Sequence, residues 1–139
     1  MVKCHMDFES ILKPGLGAEV SDTVKDSNSA SAWGSGGLPV LATPAMIAYM
    51  EKAAHTAVDS LLPQGWSTVG TEVNIKHLSA TPIGMKVTAK AELLTVDGRA
   101  LSFKVEAFDE AGKIGEGSHN RFIIESEKFM SRTEKKGKN

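Results

Sequence analysis

From Trp66 to Ser126 the chain consists of four segments of alternating apolar and polar residues with only turn-forming residues between them, and no other feature narrows the fold as far. The first, STVGTEVNIKHLSA, puts Val69, Thr71, Val73, Ile75, His77 and Ser79 on one face and Glu72, Asn74 and Lys76 on the other. That two-residue period is the mark of a half-buried strand. MKVTAKAELLTV, ALSFKVEAFDE and IGEGSHNRFIIES follow, with TPIG (Thr81 to Gly84), Val96-Asp97-Gly98-Arg99 and Glu110-Ala111-Gly112-Lys113 as turns. An Asp-Gly pair between alternating runs is a strong hairpin signal. Strands joined this tightly are expected to be antiparallel neighbours. A further strand is expected within residues 14–25, PGLGAEVSDTVK, which opens on a Pro/Gly turn.

A sheet of this kind has an apolar face to cover, and one segment is long enough to cover it: TPAMIAYMEKAAHTAVDSLLP, Thr43 to Pro63. Thr43 is the expected N-cap and Pro44 the first helical residue, where a missing N–H costs nothing. Pro63 and Gly65 close the helix after Leu62. The expected architecture is therefore α+β: an antiparallel sheet of about five strands wrapped around one central helix, about residues 44–62. Its open edges suit the pairing of two copies, so a homodimer is expected. Asp26 to Val40, DSNSASAWGSGGLPV, has no period and reads as a loop. Its Trp33 is either part of a plain connector or a cap over a ligand. Residues 130–139 lose the apolar pattern and gather lysines, which predicts a solvated, disordered tail.

Composition bounds the rest. A chain of 139 residues with 41% apolar residues is the size of a single domain with an ordinary core. A formal net charge of −1 offers no basic field for phosphate backbones or anionic lipid. Neither nucleic acid nor membrane is an expected partner, and no stretch approaches the ~20 apolar residues of a span. The single cysteine, Cys4, forms no internal disulfide, and no Cys/His set has zinc spacing. Cytoplasmic residence and the absence of a metal are the corresponding expectations. GKIGEG, Gly112 to Gly117, lies between strands with no helix after it and is no phosphate loop. His55, His5 and Cys4 have no functional context, and Asp59 is assigned with Lys52 and Thr56 to the exposed flank of the helix.

Two residues break the apolar pattern. On the helix, Ile47, Ala54, Val58 and Leu62 form a stripe with Met50, Ala57 and Leu61 beside it, and Glu51 occupies a missing member of that stripe. A buried carboxylate costs several kcal/mol in order of magnitude unless it is paired. A hydrogen bond to a buried hydroxyl would satisfy it structurally. On the strand, His77 shares a face with Val73 and Ile75. Glu51 and His77 on facing elements, with the Thr43 hydroxyl at a helix N-terminus, supply a nucleophile or base, a proton shuttle and a donor. The free N–H groups and positive dipole end of the helix suit an oxyanion. The set points to acyl transfer. His119, which alternates with Gly117 and Arg121, either lines the same pocket or is structural.

The spacing Thr43-Pro44, Glu51, His77, with LSATPIGMKVTAKAEL, VDGRALSFKVEAFDEAGKIGEGSHNRF and the later EKF, resembles the hotdog-fold thioesterases related to fluoroacetyl-CoA thioesterase. The likeness runs from about Pro14 to Phe129. It implies a sheet wrapped on a long helix, a homodimer, a short acyl-CoA substrate and no cofactor beyond the CoA of the substrate. It also implies Thr43, Glu51 and His77 as catalytic residues and Gly70 and Arg121 as substrate contacts. Glu51 would attack the thioester or activate the water that does. Where that family carries bulky phenylalanines before the helix, this chain has SASAWGSGGLPV, with Trp33 as the residue to replace part of a lid. The acyl group is thus left open. A non-catalytic acyl-CoA sensor is the alternative from another class, and a hotdog dehydratase is a second enzyme alternative.

Overall fold

The computed structural model describes residues 7–138, and Cys4 and His5 lie outside them. Five strands form one antiparallel sheet: β1 (Gly17–Thr23), β2 (Trp66–His77), β3 (Lys86–Asp97), β4 (Ala100–Asp109) and β5 (Gly112–Glu125). The helices are α1 (Phe8–Ile11), α2 (Ala30–Trp33), α3 (Thr43–Val58) and α4 (Ser126–Lys136). Spatially the strands run β1-β3-β4-β5-β2.

The β3-β4-β5 meander matches the alternation read from the sequence. Val87, Ala89, Ala91 and Leu93 on β3, and Leu101, Phe103, Val105 and Ala107 on β4, are buried on the face that α3 covers. Asp97-Gly98 and Ala111-Gly112 lie at the two tight turns, with Gly98 at φ 61°, a backbone state that glycine enters without steric cost. β2 is the exception to the expected order of neighbours, because it pairs with β5 and not with β3. Residues 78–85 cross the end of the sheet instead of turning back. Leu78 donates to the Ile114 carbonyl, the buried Thr81 hydroxyl donates to Asp109 at 2.8 Å, and Val24 donates to the Met85 carbonyl. These bonds satisfy a connection that passes from the β2 edge across β5 and β4 to β3. β2 is left as a 12-residue edge strand.

α3 begins one residue earlier than expected, with Ala42 at the cap position and no side-chain cap. The Thr43 hydroxyl is bonded elsewhere, as described below. The α-helix ends at Val58 and tightens into a 3₁₀ turn over Asp59–Leu61, a common end to a helix. Its buried face is Ala45, Met46, Met50, Ala53, Ala54, Ala57 and Val58, so the stripe is rotated from the expected one. Leu61 is exposed, and Glu51 lies on the flank, half-buried. Gly115 is what lets α3 approach β5: a Cβ there would sit 2.6 Å from Met46 Sδ.

Two segments read as irregular are ordered. Residues 26–40 fold into a 3₁₀ turn and α2, held by bridges Ser29–Leu41 and Val40–Pro82. Of the expected tail, residues 130–136 belong to α4, none of whose residues is buried. Glu127 in its first turn and Lys135 and Lys136 in its last complement the helix dipole. Among the described residues no helix is long and apolar enough to cross a membrane.

Candidate active site

The decisive local feature is a bulge in β2. Val69 and Gly70 pair with Phe122 and Arg121, but Glu72 pairs with Asn120, so Thr71 is an extra residue in the strand. An inserted residue reverses which side chains point inward beyond it. Thr68 and Gly70 therefore face the helix before the bulge, and Ile75 and His77 face it after. This corrects the single face Val69-Thr71-Val73-Ile75-His77 inferred from strict alternation. Without the bulge His77 and Gly70 would lie on opposite sides of the sheet.

His77 and Thr43 meet at the N-terminus of α3. His77 Nδ1 and Thr43 Oγ1 are 2.8 Å apart. Burial pushes the imidazole below its ordinary range, against a smaller raising effect of the Ser79 backbone, so the neutral ring is favoured at pH 7. Its Nε2 is buried with no hydrogen-bond partner. A polar atom in that condition has bonding capacity left for a ligand. Both residues line a cavity of about 370 Å³, walled also by Ala30, Gly36, Leu38 and Ala80. The segment before the helix thus forms one side of the cavity, as a lid would. Trp33 is not in that wall. It is 48% exposed and its indole N–H donates to the Ser27 carbonyl at 2.7 Å.

Glu51 belongs to a second group. A Cβ built on Gly70 would lie 2.9 Å from Glu51 Oε2, 3.2 Å from His119 Cε1 and 3.5 Å from Arg121 Nη1. Gly70 is thus the opening through which these side chains converge. Arg121 is only 8% exposed; its Nε donates to Thr68 Oγ1 at 2.8 Å and its Nη2 to the Thr68 carbonyl at 2.9 Å. The Thr68 hydroxyl in turn donates to Asp59 Oδ1 at 2.6 Å. Desolvation lowers the Arg121 pKa, and the nearby Asp59 and Glu51 carboxylates oppose that. Asp59 therefore does not stand on an exposed flank; it is half-buried at the end of a hydrogen-bonded chain that leads to the buried Thr68 and Arg121, with His55 against it at 3.5 Å. Thr68 and Asp59 carried no signal in the sequence. His119 was marked by sharing the face of Arg121 two residues on.

Within one chain the expected Glu51–His77 encounter does not occur. Thr43 and Glu51 are eight residues apart on α3, about 12 Å along its axis. The structure brings Thr43 to His77, and Glu51 to Gly70 and Arg121, as two groups at different heights of one helix. Among the described residues no group of three or more His, Cys, Asp or Glu side chains is placed to hold a metal.

A sheet wrapped on one long helix, with polar groups gathered along that helix, defines a hotdog-fold protein. A hot-dog-like protein from Thermanaerovibrio acidaminovorans has the same fold, with a TM-score of 0.86 at 21% identity over 90% or more of both chains, 94% of this one and 97% of the other. The model of the fluoroacetyl-CoA-specific thioesterase family matches residues 24–127. The fluoroacetyl-CoA thioesterase of Streptantibioticus cattleyicolor is 41% identical over 97 residues, 70% of each chain. A threonine-to-serine variant of a fluoroacetyl-CoA thioesterase, solved in complex with acetyl-CoA, superposes with a TM-score of 0.86 at 31% identity, covering 90% of this chain and 98% of that one. The chain belongs to the fluoroacetyl-CoA-specific thioesterase family, and it is a thioesterase.

Proposed function

We propose that this thioesterase hydrolyses a short-chain acyl-CoA to the free acid and CoA, with Glu51, His77 and Thr43 as its catalytic residues. The observation that carries the proposal is the pairing of Thr43 with a neutral, otherwise unpartnered His77 at a cavity, at the positive end of α3. The thioester carbonyl would lie at that helix end, where N–H groups meet the developing oxyanion. Glu51 either attacks the carbonyl carbon, giving an acyl-enzyme anhydride that water then cleaves, or removes a proton from the attacking water. In both routes the C–S bond breaks and the departing thiolate takes a proton, for which His77 is the nearest shuttle in the proposal. Gly70 and Arg121 would contact the substrate beside Glu51. No cofactor enters this scheme.

The separation of the Thr43–His77 and Glu51 groups argues for a homodimer. β2 presents an open edge, and antiparallel pairing of two such edges about a two-fold axis would continue the sheet. That pairing can oppose the Glu51 group of one copy to the Thr43–His77 pair of the other. The acyl chain is short in this reading because the cavity, about 370 Å³, is at the lower end of the ~300–1,000 Å³ of ligand pockets in general. Thiol release from short, branched and aromatic acyl-CoAs tests the proposal. Native protein is expected to turn over at least one of them, with Glu51→Gln and His77→Ala each lowering kcat by about 100-fold or more. Variants as active as native protein on every substrate would remove both residues from the mechanism.

A further inference from the structure

His119 on β5 is 1% exposed and has no place in the scheme above. Its Nδ1 lies 2.9 Å from the Glu72 carbonyl. A carbonyl only accepts, so Nδ1 carries the proton and, in the neutral ring, Nε2 holds the lone pair. Nε2 lies 3.2 Å from Arg121 Nη1, which only donates. The tautomer is therefore set by the Glu72 backbone, whose position follows from the bulge at Thr71. Burial is the main cause that keeps the ring below its ordinary pKa, and the Arg121 charge adds to it.

The Arg121 guanidinium is held on one edge by Thr68, through Nε and Nη2. That fork leaves its Nη1 end free to tilt. His119 Nε2 removes the tilt, and the Phe103 ring, stacked at 6.3 Å and 30°, holds the imidazole itself. Nη1, His119 Cε1 and Glu51 Oε2 then converge at the missing Cβ of Gly70. A protonated imidazole could not accept this bond and would repel the cation. A neutral acceptor in a fixed tautomer is what the geometry requires.

We propose that His119 is a positioning residue for catalysis: it aims Arg121 Nη1 at the space beside the Glu51 carboxylate and touches no reacting atom. The inference rests on Glu51 being the catalytic carboxylate. Two substitutions separate this role from core packing. His119→Asn keeps an N–H near Nδ1 for the Glu72 carbonyl and lacks an acceptor at the Nε2 position. His119→Gln reaches the Nε2 position with an amide oxygen and gives up the Glu72 bond. Using the acyl-CoA that native protein hydrolyses fastest, His119→Asn is expected to lower kcat about tenfold or more with KM within about threefold, and His119→Gln to stay within about threefold of native kcat. Urea midpoints, measured in parallel, are expected not to rank the variants in that order. Native kcat in His119→Asn, or His119→Gln falling as far as His119→Asn, overturns the proposal while Glu51→Gln remains inactive. Native kcat in Glu51→Gln overturns the underlying assignment of Glu51, and the inference with it.

Discussion

At the scale of single residues, the site depends on what is absent as much as on what is present. Gly70 has no Cβ, and an alanine there would press on Glu51 Oε2 at 2.9 Å. Gly70→Ala is expected to lower kcat by about tenfold, since a misplacement near 1 Å costs that order or more, while the unfolding midpoint stays near native. Circular dichroism melts beside thiol-release kinetics check both halves. Two histidines, His119 buried and His77 half-buried, set a pH dependence. His77 and His119 both have folded pKa values below the ordinary histidine value, chiefly through desolvation. The unfolded chain therefore binds more protons than the folded one below about pH 6.5, and stability increases with pH there. Their stabilising contribution is complete above pH 6.5 and is lost as pH falls from there through the folded pKa values. Urea midpoints from pH 8 to 5 are expected to decline only on the acid side, and less steeply in His119→Gln.

At the scale of elements, β2 decides which candidate groups face α3. The strand signal in STVGTEVNIKHLSA was legible from its period, but the bulge was not, because one extra residue leaves the alternating composition intact. The sequence therefore named His77 as inward-facing for a face that included Val69 and Thr71, whereas the inward set is Thr68, Gly70, Ile75 and His77. Deleting Thr71 removes the bulge and leaves Gly70 and His77 six positions apart, so strict alternation keeps both on the helix face. The expected outcome is retained thioesterase activity, with kcat within about tenfold of native. A deletion variant whose kcat falls about 100-fold or more would contradict the view that the bulge serves to absorb one extra residue. The helix was legible in extent and in which residue was anomalous. Its rotation was not, because which side of the helix is covered depends on how β1 and β3 pack against it.

For the whole molecule, the two groups along α3 carry a prediction of their own. When Glu51→Gln and His77→Ala chains are unfolded together and refolded at equal concentrations, half of the dimers contain one copy of each. A site shared across a two-fold axis then leaves one of the two sites in each mixed dimer intact, and activity is expected to return to about a quarter of native. A site wholly within one chain returns none. Light scattering of the native protein is expected to give the mass of a dimer.

By itself the amino-acid sequence determined the element types, the pairing of β3, β4 and β5, the central helix and the family, and it singled out Thr43, Glu51 and His77 as candidates, because period, turn chemistry and a charge on an apolar face are local signals. Tertiary structure alone decided that β2 lies beside β5, that Thr43 spends its hydroxyl on His77 instead of capping the helix, and that Glu51 is grouped with Gly70, His119 and Arg121. Those outcomes follow from strand register and from the competition of distant groups for the same hydrogen bonds, neither of which a local pattern encodes.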